Sequence, residues 1–207
     1  RVDRRQRQMC IRDRSGAINY AGWFRALSQR MAKAYCQQYL QVLPGAAVDV
    51  MGLARKMVQS GSNELARGMQ SGQWPADVGR QLADVQKHFA LLNQLTAAPA
   101  TQTALVVAAS EQADRTLLVA QTVTESIEKM AQAPSARLVN LAGRQRMLSQ
   151  RLAKNYFLNA AKVESKVVQA QLVADAADFR QALQTLKAAP VSTPAIRSEL
   201  ELSLIHI

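Results

Sequence analysis

Two stretches of this chain repeat each other without a gap. The first, Ile18–Cys36, reads INYAGWFRALSQRMAKAYC, and the second, Val139–Phe157, reads VNLAGRQRMLSQRLAKNYF. Eleven of the nineteen aligned residues are identical, namely Asn, Ala, Gly, Arg, Leu, Ser, Gln, Arg, Ala, Lys and Tyr. A composition rich in alanine does not bring Asn, Gly, Ser, Gln and Tyr into register. The repeat therefore limits the chain to folds that contain one helical unit twice.

The residues around the repeats favour helices over strands. Aromatic residues make up 5% of the chain, and Gly and Pro are confined to a few positions. We therefore predict an all-α fold, an antiparallel bundle of long helices with an internal duplication. The helices are expected at about 17–43, 46–70, 76–96, 102–132 and 136–188, with the last one broken near 162–164.

A weaker repeat follows each motif. Leu92 and Leu95 precede an Ala-Ala-Pro sequence, and so do Leu183 and Leu186. This second match has an offset of 91 residues, whereas the motifs have an offset of 121. It predicts that the helices ending there are equivalent partners of the two motif helices, with 30 more residues between motif and partner in the first unit.

The two ends of the chain read as translated sequencing adapter rather than as protein. Residues 1–14 contain RRQRQMCIRD and residues 202–207 are LSLIHI, which the two ends of a common transposase adapter encode. We therefore expect both segments to be artefacts, excluded from reasoning about the fold. The remainder is predicted to form a first helical unit at 15–133 and a second, truncated unit at 134–201 that packs with the first.

The ends also change the inventory of reactive residues. Residues 1–14 carry six Arg and two Asp, so the formal net charge of +11 falls to +7 without them. One cysteine, Cys36, and one histidine, His88, remain within 15–201. This inventory excludes an intramolecular disulfide, a zinc cluster and a Cys/His catalytic pair. We expect a protein that is not an enzyme and that has neither a cofactor nor a metal site.

The repeated motif predicts an arginine in a close contact between helices. On a helix, a stripe of small and polar residues surrounds Arg25 in the first copy and Arg146 in the second. In the first copy this stripe consists of Ala21, Gly22, Ser28, Gln29 and Ala32. Because small residues let another helix approach closely, the arginine is expected in an interface, where it needs a carboxylate or a bound anion as its partner.

The charge distribution keeps acids away from both motifs. No Asp or Glu occurs within 15–48, which carries +3, or within 129–163, which carries +7. The other residues of 15–201 sum to −3. Since a guanidinium group binds a small planar oxyanion through forked hydrogen bonds, the acid-free segments favour an anion as the partner of the motif arginines.

The motif has a resemblance to a known family of sensors. The segments AINYAGWFRALSQRM and LVNLAGRQRMLSQRLAKNY resemble the P-box of nitrate/nitrite sensor kinases and the PilJ-type N-terminal domain of type IV pili methyl-accepting chemotaxis transducers. This resemblance implies a helical bundle in the periplasm with a role in signal transduction. In the nitrate sensors, the arginine of Gly-x-x-Arg contacts nitrate where two motif helices face each other, and Arg25 and Arg146 match it. A chain with both copies is expected to pair them within itself, so that both arginines converge on one anion.

The duplicated arginines, the acid-free segments and the family resemblance together predict a sensory module that binds a small oxyanion, with nitrate or nitrite favoured by the resemblance. Its output is expected to pass through a homodimer or through a membrane receptor or kinase partner. Nucleic acid is not expected as a partner, because the sequence lacks a recognition-helix motif, an aromatic stacking platform and a zinc framework. The predicted ligand-binding residues are Arg25 and Arg146, Gly22 and Gly143, Asn19 and Asn140, and Ser28 and Ser149.

A plainer interpretation of the two arginines stays open. Arg25 and Arg146 also suit buried ion pairs with an acid of the predicted fourth helix, such as Glu111, Asp114 or Glu125. The stripes of small residues would then serve an interaction module that dimerises or docks to a pilus-linked receptor.

The remaining polar residues of the motif have structural interpretations. Asn19 and Asn140 also suit helix capping or packing. Most of the other motif cations, Arg30, Arg151, Lys33 and Lys154, are expected on solvated faces, although Arg30 and Arg151 stay open as further candidates for the site. Tyr35 and Tyr156 are expected in the core, with the hydroxyl at its edge.

Overall fold

A computed structural model describes residues 2–72, 74–131, 134–163 and 165–205. Within these ranges the chain forms helices and no strand, which confirms the predicted all-α fold. The helices are α1 (Val2–Tyr39), α2 (Pro44–Gln70), α3 (Ala76–Leu95), α4 (Thr103–Ala131), α5 (Pro134–Ala160), α6 (Ser165–Ala188) and α7 (Pro194–Ile205).

Prolines mark four of the helix starts. Pro44 opens α2, Pro134 opens α5 and Pro194 opens α7, while Pro75 directly precedes α3. A proline suits the first turn of a helix because its missing N–H has no intrahelical partner there. The predicted boundaries of α2 to α4 agree with the structure to within two residues. The predicted break near 162–164 is confirmed, whereas α7 was not predicted because its prolines were interpreted as the end of the helical region.

Both motif helices end in the same cap. The residue in the left-handed conformation is Gln41 (φ 56°) after α1 and Lys162 (φ 57°) after α5, and these positions are 121 residues apart. The N–H of Val42 donates to the carbonyl of Gln37 at 2.9 Å, and the N–H of Val163 donates to that of Leu158 at 3.1 Å. These are Schellman caps, and they end α1 four residues earlier than predicted. The structural repeat therefore extends beyond the motif through the following turn.

Replacing Lys162 with glycine is expected to stabilise the protein by about 1 kcal/mol, because a side chain in the left-handed region costs roughly 1–2 kcal/mol. Urea unfolding followed by circular dichroism measures this change. The control is Asn159→Gly inside α5, which should destabilise by roughly 0.3 kcal/mol because glycine has a lower helix propensity than asparagine. Equal effects of the two substitutions would contradict the cap geometry.

The two motif helices run parallel to each other. Helix α4 is antiparallel to α1. Its first residue, Thr103, contacts Tyr39 at the end of α1, whereas Gln121, farther along α4, contacts Arg25, which comes earlier in α1. The same holds for α5, where Lys154 contacts Asp114 of α4. Near the start of α5, Asn140 contacts Glu128, toward the end of α4. Because α4 is antiparallel to both motif helices, α1 and α5 point in the same direction, related by a pseudo-twofold axis along their length.

The remaining helices pack around this parallel pair. Helix α2 packs on α1 and α6 packs on α5, whereas α4 contacts both motif helices and α3 covers α4. The weaker sequence repeat predicted α3 as the main partner of the first motif helix, and this is wrong, since α2 has that position. The contact of α3 with α1 is restricted, with Phe89 packing edge-on against Phe24 at 5.8 Å between ring centroids. In the part of the chain that the structure describes, no helix combines the length and hydropathy needed to cross a membrane.

Candidate functional site

The motif helices approach most closely at their glycines. A Cβ atom built on Gly143 would lie 3.8 Å from the Cα of Gly22 and 2.9 Å from Nη2 of Arg25. A Cβ built on Gly22 would lie 3.9 Å from the Cα of Gly143 and 3.2 Å from the same Nη2 atom. The glycines therefore allow both the backbone contact and the position of the Arg25 side chain between the helices. Gly22 and Gly143 thus bring α1 and α5 into contact within one chain.

Arg25 is fully buried, with 0% of its surface exposed. Its Nη1 donates to Oε1 of Gln121 at 2.6 Å, and its Nη2 donates to the backbone carbonyl of Asn140 at 3.3 Å. Its Nε has no hydrogen-bond partner among the described residues. The predicted burial of this cation is confirmed, but both of its acceptors are neutral. A buried charge with neutral acceptors is costly compared with one that faces an anion.

The ion pair proposed for Arg25 as the alternative is not formed with any described carboxylate. The acids named for it have other partners: Glu111 pairs with Arg115, Asp114 pairs with Lys154, and Glu125 accepts from Gln121. That interpretation is therefore wrong for the described part of the chain. The physical reason is the register of α4 against α1: the α4 residue that contacts Arg25 is the amide Gln121 and not an acid.

Two acids reach Arg25 only through amides. Nε2 of Gln121 donates to Oε1 of Glu125 at 2.5 Å, while Oε1 of the same amide accepts from Arg25. The side chain of Asn140 donates to Oε2 of Glu128, while its backbone carbonyl accepts from Arg25. The amides orient both carboxylates near the cation without direct contact.

The environment of Arg25 disfavours its charge. The pKa of Arg25 is lowered to about 10, mainly by burial and also by the nearby cations Arg144 and Arg146, while Glu125 and Glu128 act in the opposite direction. The side chain remains protonated at neutral pH. An anion placed beside Arg25 would therefore gain an attraction that the neutral acceptors do not supply.

A cavity of about 380 Å³ opens beside Arg25, between α4, α5 and α6. Arg144 and Asp178 face each other at its wall, with 2.6 Å between Nη2 and Oδ2. Three cations and three acids line this cavity, namely Arg25, Arg137, Arg144, Glu125, Glu128 and Asp178. The site is thus polar and close to charge balance, and it has room for a small polar ligand.

Arg146, the second motif arginine, lies on the opposite side of the pair formed by α1 and α5. Its side chain is exposed, and its Nη2 donates to Oδ1 of Asn19 at 2.6 Å. It lines a separate cavity of about 130 Å³ together with Trp23, Arg30 and Ser149. Each motif arginine thus reaches back to the asparagine position of the other copy, as helical side chains lean toward the N-terminus.

The expected convergence of both arginines on one cavity is not met. Helix α4 packs over Arg25 and buries it, whereas no described helix packs over Arg146 in the same way. The pseudo-twofold axis therefore produces one covered arginine and one open arginine. The predicted burial of Arg146 is wrong for this reason.

The motif serines bond within their own helices. Oγ of Ser28 donates to the carbonyl of Arg25 and Oγ of Ser149 donates to that of Arg146, each at 2.9 Å. Such bonds to the preceding turn are common for serine inside helices. The hydroxyl protons of both serines are therefore used within their own helices. Of the predicted site residues, the structure brings Arg25, Gly22, Gly143 and Asn140 together.

Two cations predicted on solvated faces are in ion pairs instead. Lys154 is 1% exposed and contacts Asp114 of α4 at 2.7 Å, and Arg151 pairs with the buried Asp175 of α6. The prediction is wrong for both, because α4 and α6 cover the corresponding faces of α5. Tyr35 is in the core as predicted, but Tyr156 is 65% exposed because nothing described covers that side of α5.

Of the residues that α4 and α6 bring to the site, sequence reasoning named Glu125 as an ion-pair candidate and missed the others. Gln121, Glu125 and Glu128 lie on one side of α4, and Asp178 comes from α6. The available signal was weak: Gln121, Glu125 and Glu128 recur at helical spacing, but other polar residues lie between them. Identifying their neighbours required knowing which side of the motif pair α4 covers.

One comparison with known proteins gives a match. Residues 130–203 match the family described as type IV pili methyl-accepting chemotaxis transducer N-term, the PilJ family. This segment contains α5, α6 and most of α7, and therefore the second motif copy but not the first. No curated protein and no solved structure matches the chain.

Proposed function

We propose that this chain is a periplasmic sensory module of a chemotaxis-type receptor, and that it binds a small oxyanion beside Arg25. The match of residues 130–203 to the transducer family supports the sensory role. The single observation that carries the anion is Arg25, a fully buried cation with neutral acceptors at the edge of a polar cavity. Nitrate or nitrite is the favoured ligand through the resemblance of the motif to nitrate sensors.

The proposed ligand takes the place of the Gln121 oxygen on Arg25. A planar oxyanion at this position accepts two parallel N–H bonds from the two amino groups of the guanidinium, Nη1 and Nη2. Glu125 and Glu128 limit the charge that the cavity accepts, since like charges repel. The site therefore favours a small monovalent anion over sulfate.

Binding at this position alters contacts among three helices. Arg25 belongs to α1, its acceptor Gln121 to α4 and its acceptor Asn140 to α5. A ligand that replaces one of these acceptors stabilises a different packing of α4 against the motif pair. Such differential affinity for two helix arrangements is sufficient to transmit a signal.

A second candidate function is an interaction module without a ligand. The observation that favours it is the hydrogen bonding of both Arg25 amino groups to residues of the chain itself. In that case Arg25 fastens α4 to the motif pair, and a partner binds elsewhere.

Thermal unfolding in nitrate, nitrite, chloride, sulfate and acetate at matched ionic strength separates the two functions. A ligand at 100 times its dissociation constant stabilises the native state by about 2.7 kcal/mol. We expect nitrate or nitrite to raise the melting temperature, and Arg25→Lys to abolish this rise because lysine lacks the planar fork. Arg146→Lys is the matched control and should retain the rise, since Arg146 lines the other cavity. The absence of any anion-specific rise would contradict the anion site and favour the interaction module.

A further inference from the structure

The parallel motif helices create two equivalent grooves, and α4 fills one of them. In this filled groove, Nε2 of Gln29 on α1 donates to the carbonyl of Ala113 at 3.1 Å. The hydroxyl of Tyr35, also on α1, contacts the carbonyl of Pro99 before α4. On the other side of the groove, Lys154 of α5 contacts Asp114. Helix α4 is thus held by both motif helices along its length.

One stripe of α4 provides the side-chain partners. Asp114, Gln121 and Glu128 are spaced by seven residues, which places them on one face of the helix. They bind Lys154, Arg25 and Asn140, respectively. The groove therefore recognises a helix with an acid at each end of this stripe and an amide between them.

The opposite groove carries the same residues of the other copy. Adding or subtracting 121 converts Arg25 to Arg146, Tyr35 to Tyr156 and Lys154 to Lys33. Arg25 and Tyr35 are 0% exposed in the filled groove, whereas Arg146 is exposed and Tyr156 is 65% exposed. This second groove, called the open groove, has the side chains for a helix but no described helix over them.

Two buried polar atoms of the open groove lack hydrogen-bond partners among the described residues. Nε of Arg30 and Oε1 of Gln150 are buried without a hydrogen-bond partner among the described residues. Lys33 is half-buried, and burial together with the neighbouring Arg30 lowers its pKa. The lining of the cavity there includes Arg30 and Arg146 and contains no acid. The open groove is therefore cationic, and some of its buried hydrogen-bonding atoms have no described partner.

We propose that the open groove docks an acidic amphipathic helix of a partner protein, antiparallel to α1 and α5 and equivalent to α4 in the filled groove. Its carboxylate lies on Lys33 as Asp114 lies on Lys154, and its amide accepts from Arg146. A second copy of the groove is not the occupant, because that contact would bring Arg30, Lys33 and Arg146 against their own copies. This docking does not depend on the anion proposed beside Arg25.

A fluorescent peptide with the sequence of residues 103–131 serves as the probe, since α4 carries the stripe that the groove is proposed to recognise. We expect saturable binding to the full chain by fluorescence anisotropy. Lys33→Glu should weaken binding by about tenfold or more, because it places like charges together. Lys87→Glu on the exposed face of α3 makes the same change of charge and should leave binding unaltered. A peptide carrying Asp114→Lys should regain affinity for the Lys33→Glu protein.

Three outcomes would overturn the docking site. The first is no binding of the peptide, and the second is equal weakening by Lys33→Glu and Lys87→Glu, which would mean a general attraction of charge. The third is binding that ignores Lys33 altogether, which would mean that the peptide exchanges with α4 opposite Lys154. Far-UV circular dichroism of each variant verifies that the helices remain folded.

Discussion

Gly143→Leu will destabilise the protein by about 3 kcal/mol, because overpacking a tight contact typically costs 1–3 kcal/mol and occasionally more. Even a Cβ atom at this position would lie 2.9 Å from Nη2 of the buried Arg25 and 3.8 Å from the Cα of Gly22. A leucine therefore forces α1 and α5 apart and removes Arg25 from its acceptors. Urea unfolding measures the loss of stability, with one m-value, the dependence of the unfolding free energy on urea concentration, fitted to all variants.

Gly52→Leu in α2 is the matched control for this prediction. A Cβ at Gly52 meets nothing within 4 Å, and α2 is helical there, so leucine should stabilise by up to about 1 kcal/mol. If Gly143→Leu behaves like Gly52→Leu, the motif helices do not meet at their glycines.

The second large effect concerns the ion pair between α5 and α4. Lys154 is 1% exposed and its Nζ lies 2.7 Å and 2.8 Å from the two carboxylate oxygens of Asp114. Asp114→Ala leaves a buried ammonium group unpaired and is expected to destabilise by about 3 kcal/mol at pH 7. Combining it with Lys154→Met removes the charge and should recover most of that loss. An unrecovered double variant would contradict the ion pair as the cause.

The same pair predicts a dependence on pH. Burial lowers the pKa of Lys154 below its ordinary value of 10.5, and Asp114 raises it again. The unfolded chain therefore binds the lysine proton more tightly than the folded chain, so this group contributes more stability as pH rises from its folded pKa toward 10.5. Asp114→Ala lowers the folded pKa further, and its loss of stability should shrink as pH rises from 7 to 10. A deficit that stays constant over this range would argue against a buried charged lysine.

Much of the architecture follows from patterns that are local in the sequence. Helix starts were predictable because prolines such as Pro44 and Pro134 suit the first helical turn. The burial of Arg25 followed from the stripe of small residues around it. The ends of α1 and α5 were harder, because glycine usually marks a left-handed cap and these caps use Gln41 and Lys162.

The residues of the site depend on which side of the motif pair α4 covers, and the motif sequence does not determine that side. Two equivalent copies form two equivalent grooves, and the residues of α1 and α5 alone do not distinguish the side that α4 covers. That side decides why Arg25 is buried and Arg146 exposed, and why Lys154 is buried while Lys33 is half-buried. It also brings Gln121 to Arg25 instead of to Arg146. Packing between distant segments thus gives identical residues different environments.

The central claim is that the two motif copies form a parallel pair, and a distance between their ends tests it most directly. Nitroxide labels at Gln41→Cys and Lys162→Cys, with Cys10 and Cys36 replaced by alanine, mark the exposed caps of α1 and α5. Double electron–electron resonance should give a distance below about 35 Å, because at about 1.5 Å per residue parallel helices that meet at Gly22 and Gly143 end on the same side. A distance near 55 Å would mean antiparallel motif helices and would contradict the account.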